Sequence, residues 1–176
     1  FPVTIGSFTT TPDDYSSTIS FNFTPTETGS YSQILAVTAD DVPGSPFEIG
    51  LNGTAVDISG GVVNVPDQIP TIQGAISVSD EGDSILVAAG TYTGTIDFMG
   101  KNLVILGEDR ETTIIDADQQ GTAVNFGENS GIDTSTVLAG FTIRNGYGSN
   151  GYYNNYGGGI YMYNASPILR DLIIEN

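Results

Sequence analysis

Residues 70–117, PTIQGAISVSDEGDSILVAAGTYTGTIDFMGKNLVILGEDRETTIIDA, decide how the chain is built. Ile69, Ile72, Ala75 and Ile76 recur at helical spacing, so a short amphipathic helix opens the stretch, with Pro70 suited to a first helical position. Apolar groups then follow one another, each closed by Gly or a polar turn: Ile85 to Val87, Ile96 to Phe98, Leu103 to Leu106, Ile114 and Ile115. Strands this short and this apolar must be buried on at least one face, and stacking them coil upon coil achieves that burial. The pattern predicts the capped start of a right-handed parallel β-helix over 69–176, with the helix covering strand edges that would otherwise template aggregation.

Outward toward the C-terminus, STVLAGFTIRNG (135–146) and SPILRDLIIEN (166–176) read as two editions of one rung, Phe141 to Asn145 aligning with Leu172 to Asn176. Both end on Asn, and equivalent Asn side chains in a solenoid can exchange amide hydrogen bonds from coil to coil. The two editions lie farther apart than the roughly 20 to 25 residues of an ordinary coil, so the excess forms a loop. That loop, NGYGSNGYYNNYGGG (145–159), carries Tyr147, Tyr152, Tyr153 and Tyr156 among Gly and Asn. Aromatic faces flanked by amides suit stacking on sugar rings or packing against another protein, and these four tyrosines are the candidate contact residues. The plainer alternative is a Gly-rich bulge whose tyrosines fold back on their own coil. Further coils are expected after Asn176.

Outward toward the N-terminus, 57–68 (DISGGVVNVPDQ) reads as a linker in which Val62 to Val65 can add a strand to the open end of the stack. Residues 1–56 change to period two. Ile19, Phe21 and Phe23 share one face, as do Tyr31, Leu35 and Val37, and Phe47, Ile49 and Leu51, which predicts half-buried antiparallel strands of a partial β-sandwich. About four strands are visible where such a sandwich needs seven, so the apolar face of Ile19, Phe21, Phe23, Leu35 and Val37 is expected to be covered by polypeptide outside these strands. Truncation is the favoured source of the shortfall, and a strand donated by another chain the alternative.

Two stretches resemble known families. Residues 23–56, FTPTETGSYSQILAVTADDVPGSPFEIGLNGTAV, resemble the last half of the immunoglobulin-like, choice-of-anchor D type modules of bacterial surface and secreted proteins. Residues 71–116 resemble the N-terminal region of the pectin lyase-like superfamily, where a TIQ-A-I helix precedes a strand, a GTY turn and an NL-I-GE strand ending in T-I-I. The second resemblance covers about 50 residues and is specific for fold; it implies a parallel β-helix without fixing an activity, because lyases, esterases and non-catalytic adhesins share that fold. GGGIYMYNASP (157–167) is similar to a signature of extracellular β-helix repeats.

Composition narrows the chemistry. Four basic residues against 21 acidic ones give a net charge of −17, which repels nucleic acid, anionic lipid and acidic polysaccharide. Cys and His are both absent, which excludes disulfides and the usual general base. No apolar run is long enough to insert in a membrane. Asp97, in TIDFMG, is similar to a catalytic Asp segment of pectin methylesterases but falls in the first coil, too early to be its counterpart. Lys101, Arg110, Arg144 and Arg170 are scattered and read as surface salt-bridge partners. No catalytic residues and no cofactor are expected; Ca²⁺ between Glu81 and Asp83 or between Asp116 and Asp118 is the weaker reading, since Asp is common in solvated turns. Together these features predict a secreted or cell-surface bacterial protein segment with a structural or adhesive role, as stalk, filament or matrix component, whose partners are other copies or a polysaccharide. A secreted polysaccharide lyase or esterase with its catalytic coils elsewhere, and a carbohydrate-binding module, are the alternatives.

Overall fold

The computed structural model describes residues 4–5, 21–22, 27–37, 47–128, 131–148 and 157–175. The described chain is all-β, with fourteen strands and one short helix, and it divides into two units, Phe1–Asp57 and Ile58–Asn176. No described helix is long and apolar enough to cross a membrane.

In the first unit, β1 (Thr4–Ile5) pairs antiparallel with β2 (Phe21–Asn22), and β3 (Gly29–Val37) pairs antiparallel with β4 (Phe47–Ala55) over nine residues each. The register sets Leu35 opposite Ile49, so these members of the two apolar sets read from the sequence share one face of the hairpin. Ile34, on the other face, is 61% exposed, and Ile49 is 43% exposed. Ile19 and Phe23 lie outside the described residues, as do the side chains of Phe21, Val37 and Phe47.

In the second unit the chain winds so that each strand pairs in parallel with one a coil away. Val62 to Val65 form β5 (Val62–Val65), with Val63 and Val65 in the core, so the 57–68 span contains a core strand. After it come α1 (Ile72–Val78), β6 (Ser84–Val87), β7 (Gly90–Thr93), β8 (Ile96–Asp97), β9 (Val104–Gly107), β10 (Thr113–Asp116), β11 (Val124–Glu128), β12 (Val137–Arg144), β13 (Ile160–Tyr163) and β14 (Ile168–Ile174). One sheet stacks β5, β6, β9 and the first half of β12; β7, β10 and the second half of β12 continue it around a bend; β8, β11 and β13 form a separate parallel sheet. β14 pairs with both halves of β12, and the alignment of Phe141, Thr142 and Ile143 with Leu172, Ile173 and Ile174 matches the predicted offset. Gly-Thr-Tyr, expected as a turn, is instead strand β7, because Thr91 and Tyr92 are strand formers that pair with Ile114 and Ile115.

The register explains the core. Val63, Ile85, Ile105 and Leu138 stand in line on four successive coils, all with no exposed surface. Each such aliphatic side chain contributes about 2 kcal/mol by leaving water. Phe98 and Phe126 stack inside the stack with ring centroids 4.4 Å apart. At the bend of β12, Gly140 (φ +81°) approaches Gly107 so closely that a Cβ on Gly140 would lie 2.5 Å from the Gly107 carbonyl oxygen. Only a glycine serves there.

The helix begins two residues later than Pro70 suggests. Thr71 is the N-cap, its hydroxyl accepting from Gly74 N–H at 3.1 Å, and Pro70 precedes the cap. Ile72, Ala75 and Ile76 are buried, with Ile69 packed against them. On the outer edge of β8, the Gln73 side chain accepts from Asp97 N–H at 2.7 Å and donates to Asp97 C=O at 3.2 Å. The Gln73 amide thus acts as a surrogate strand for an edge that β11 leaves open on its far side. At the other end of the helix, the Lys101 ammonium donates to the carbonyls of Ile76 (2.8 Å), Ser77 (3.1 Å) and Ser79 (2.8 Å). Lys101 is therefore a helix C-cap, not a salt-bridge partner.

Candidate functional site

Alternation along the β8–β11–β13 sheet sorts its side chains. Ile96, Phe98, Val124 and Phe126 turn inward and are buried, while Thr95, Asp97, Asn125 and Tyr161 border the outer surface. Asp97, Asn125 and Tyr161 are register partners on three successive strands, so they form one row across the sheet. With Gln120, Gly121, Thr122, Gly127 and Tyr147 they line a groove of about 670 Å³.

One wall of the groove is the turn from Asp118 to Gly121. Asp118 and Gln119 adopt left-handed backbone angles (φ +47° and +59°), and Tyr147 is tied to the turn by its N–H, which donates to Gly121 C=O at 2.8 Å. The Tyr147 side chain is 58% exposed. It stands between this groove and a second, of about 610 Å³, bordered by Gly146, Gly158 and Ile174. Of the four tyrosines expected to make contacts, Tyr147 is thereby placed in the groove; Tyr152, Tyr153 and Tyr156 lie outside the described residues. Tyr161, Asn125, Thr95, Gln120 and Thr122 were not singled out from the sequence. The signal for them was the alternation TIDF, VNFG and IYMY, three short runs that read as rungs only once their mutual register is known.

The floor is prearranged. The Asp97 carboxylate accepts from Met99 N–H at 2.7 Å and from the Asn125 side-chain amide at 2.9 Å, and Asn125 Oδ1 accepts from Gly127 N–H at 2.8 Å. Thr122 donates to Gly157 C=O at 2.7 Å. The side chains of Thr95, Gln120 and Tyr147 make no hydrogen bond to another described residue and can turn to a ligand. Among the described residues of the lining Asp97 is the sole carboxylate and none is basic. The described lining therefore pairs aromatic area with amides and hydroxyls, and offers no second acid for acid–base chemistry.

The other polar clusters bind coil to coil. At one corner Asn102 donates to Glu81 at 2.8 Å and accepts from Asp133 N–H at 3.0 Å and the Thr136 hydroxyl at 2.6 Å. At another, Asp116 accepts from the Asn145 amide at 2.8 Å, from Asp118 N–H at 3.1 Å and from Arg144 Nε at 2.9 Å. The Asn145 amide, followed by the Asp118 N–H and Arg144, holds the Asp116 carboxyl below the usual carboxylate range against the opposing effect of burial. Ser135 lowers Asp133 in the same direction through hydroxyl and N–H bonds. Asn145 thus bonds to the carboxylate of the preceding coil, and its expected partner Asn176 lies outside the described residues. The Asp116 oxygens proposed for Ca²⁺ are occupied by these donors, and Glu81 by Asn102. No group of three or more acidic side chains among the described residues is placed to hold a metal ion. Of the remaining cations, Arg110 forms an exposed ion pair with Asp171 at 3.0 Å.

Comparison with family models, with curated proteins and with solved structures finds no match.

Proposed function

We propose that the chain is a segment of a secreted or cell-surface protein with a structural and adhesive role, in which a partial immunoglobulin-like sandwich leads into the capped start of a right-handed parallel β-helix of pectin lyase-like type. The observation that carries the reading is the coil-to-coil register of the second unit: apolar rungs align inside, while Glu81, Asn102, Asp133 and Thr136, and separately Asp116 and Asn145, tie successive corners together. Such a stack is sustained by nearest-neighbour contacts and suits a stalk, filament or matrix component. The groove lining, with Asp97 the one charged side chain among its described residues, favours contact over catalysis. Electron microscopy of the native material, with no substrate added, tests the reading. Regular fibres or elongated stalks containing this segment are expected. Compact single particles, together with catalytic turnover of a polysaccharide by the native protein, would overturn it in favour of a secreted lyase or esterase.

A further inference from the structure

Asp97, Asn125 and Tyr161 stand on three strands spaced about 4.8 Å apart, a row about 10 Å long that runs along the stacking direction. The rung spacing is comparable to the length of one pyranose ring, so an extended glycan laid along the row presents one sugar to each rung. Tyr161 and Tyr147 supply aromatic faces for the apolar faces of sugar rings, and Thr95, Gln120 and the second N–H of Asn125 supply hydroxyl-compatible donors and acceptors. Charge then selects among glycans. A lining whose one charge among the described residues is a carboxylate, on a chain of net charge −17, offers no described cation to neutralise a uronate or a sulfate and repels both.

We propose that the groove along β8, β11 and β13 binds a neutral polysaccharide, stacked on Tyr147 and Tyr161 and hydrogen-bonded along the Asp97–Asn125 rungs. This rests on the adhesive reading above and names the ligand class of its contact surface. The floor is held by bonds that need no ligand, so binding requires little ordering beyond the exposed Tyr147 and Gln120 side chains.

Affinity electrophoresis of the full chain tests it, in native gels containing hydroxyethylcellulose, galactomannan or polygalacturonate. At least one neutral polymer is expected to retard the protein and polygalacturonate is not. Tyr161→Ala and Tyr147→Ala should each weaken retardation about tenfold, since a lost aromatic stack removes both area and a directional contact. Tyr163→Ala, an exposed residue of β13 outside the groove lining, should leave it unchanged. Far-UV circular dichroism confirms the fold of each variant; Tyr147→Ala is safe in this respect, because its side chain is exposed. The proposal is overturned if neither neutral polymer retards the protein, if polygalacturonate retards it equally, or if folded Tyr147→Ala migrates as the parent does. Retardation without fibres would refute the structural role and leave the groove assignment standing; fibres without retardation would do the reverse.

Discussion

Replacing Lys101 with Met keeps the length and most of the aliphatic stem of the side chain and deletes the ammonium. Three carbonyls then lose their donor. Those of Ile76 and Ser79 are partly buried, whereas that of Ser77 faces water and can be rehydrated. Two poorly hydrated carbonyls left unsatisfied cost about 1 kcal/mol each, and loss of a cation at a helix C-terminus adds about 0.5 kcal/mol. The expected destabilisation is therefore about 2 to 3 kcal/mol, large beside the few kcal/mol by which a domain of this size is stable. The protein contains no Trp, so urea unfolding is followed by far-UV circular dichroism. With a slope of about 2 kcal/mol per molar urea, the midpoint should fall by about 1 M or slightly more with the slope unchanged. A midpoint within about 0.25 M of the parent would mean that the ammonium is solvated in solution and that the helix end is capped by water, refuting the argument.

Other substitutions probe the core, the bend and the corners. Phe126→Ala removes one partner of the 4.4 Å ring stack and should cost about 3 to 5 kcal/mol in the same titration. Gly140→Ala puts a Cβ against the Gly107 carbonyl at a backbone angle of +81° and should cost about 3 kcal/mol or more, while Gly60→Ala, with open space around it, should stay within about 0.5 kcal/mol. For Asp116 the folded pKa is lowered, so its contribution is present above the unfolded value of about 3.9 and is lost as pH falls through the folded one. Asp116→Asn should accordingly be less stable than the parent at pH 7, with the gap closing in the acid range below about 3.9; equal urea midpoints at pH 7 would contradict the assignment.

The rungs of the second unit were legible because burial writes itself into short sequences. Ile85, Ile105 and Leu138 each sit in an apolar run closed by a turn, and each turns inward. What the sequence concealed was which residues neighbour one another. Lys101 read as a surface cation because the carbonyls it caps lie more than 20 residues earlier, and no local pattern links them. Gly-Thr-Tyr read as a turn because it is short and begins with Gly; pairing with β10 outweighs that local signal. The groove was hidden for a related reason. Tyr147 was conspicuous in a Tyr-rich loop, whereas Asn125 and Tyr161 matter only by standing beside Asp97, a relation set by register over 28 and 36 residues. Coil lengths vary with their loops, so this register has no fixed period to read.

Asp97 belongs to two structures at once. Its backbone is clasped by Gln73 of the helix, and its carboxylate holds Asn125 in the groove floor. The lid of the stack and its contact surface are thus mechanically in series: a load that pries the helix away is delivered, through a single residue, to the place where the proposed ligand would be gripped. A segment working under tension would consequently release the proposed ligand as its cap begins to yield, before the rungs beneath have parted.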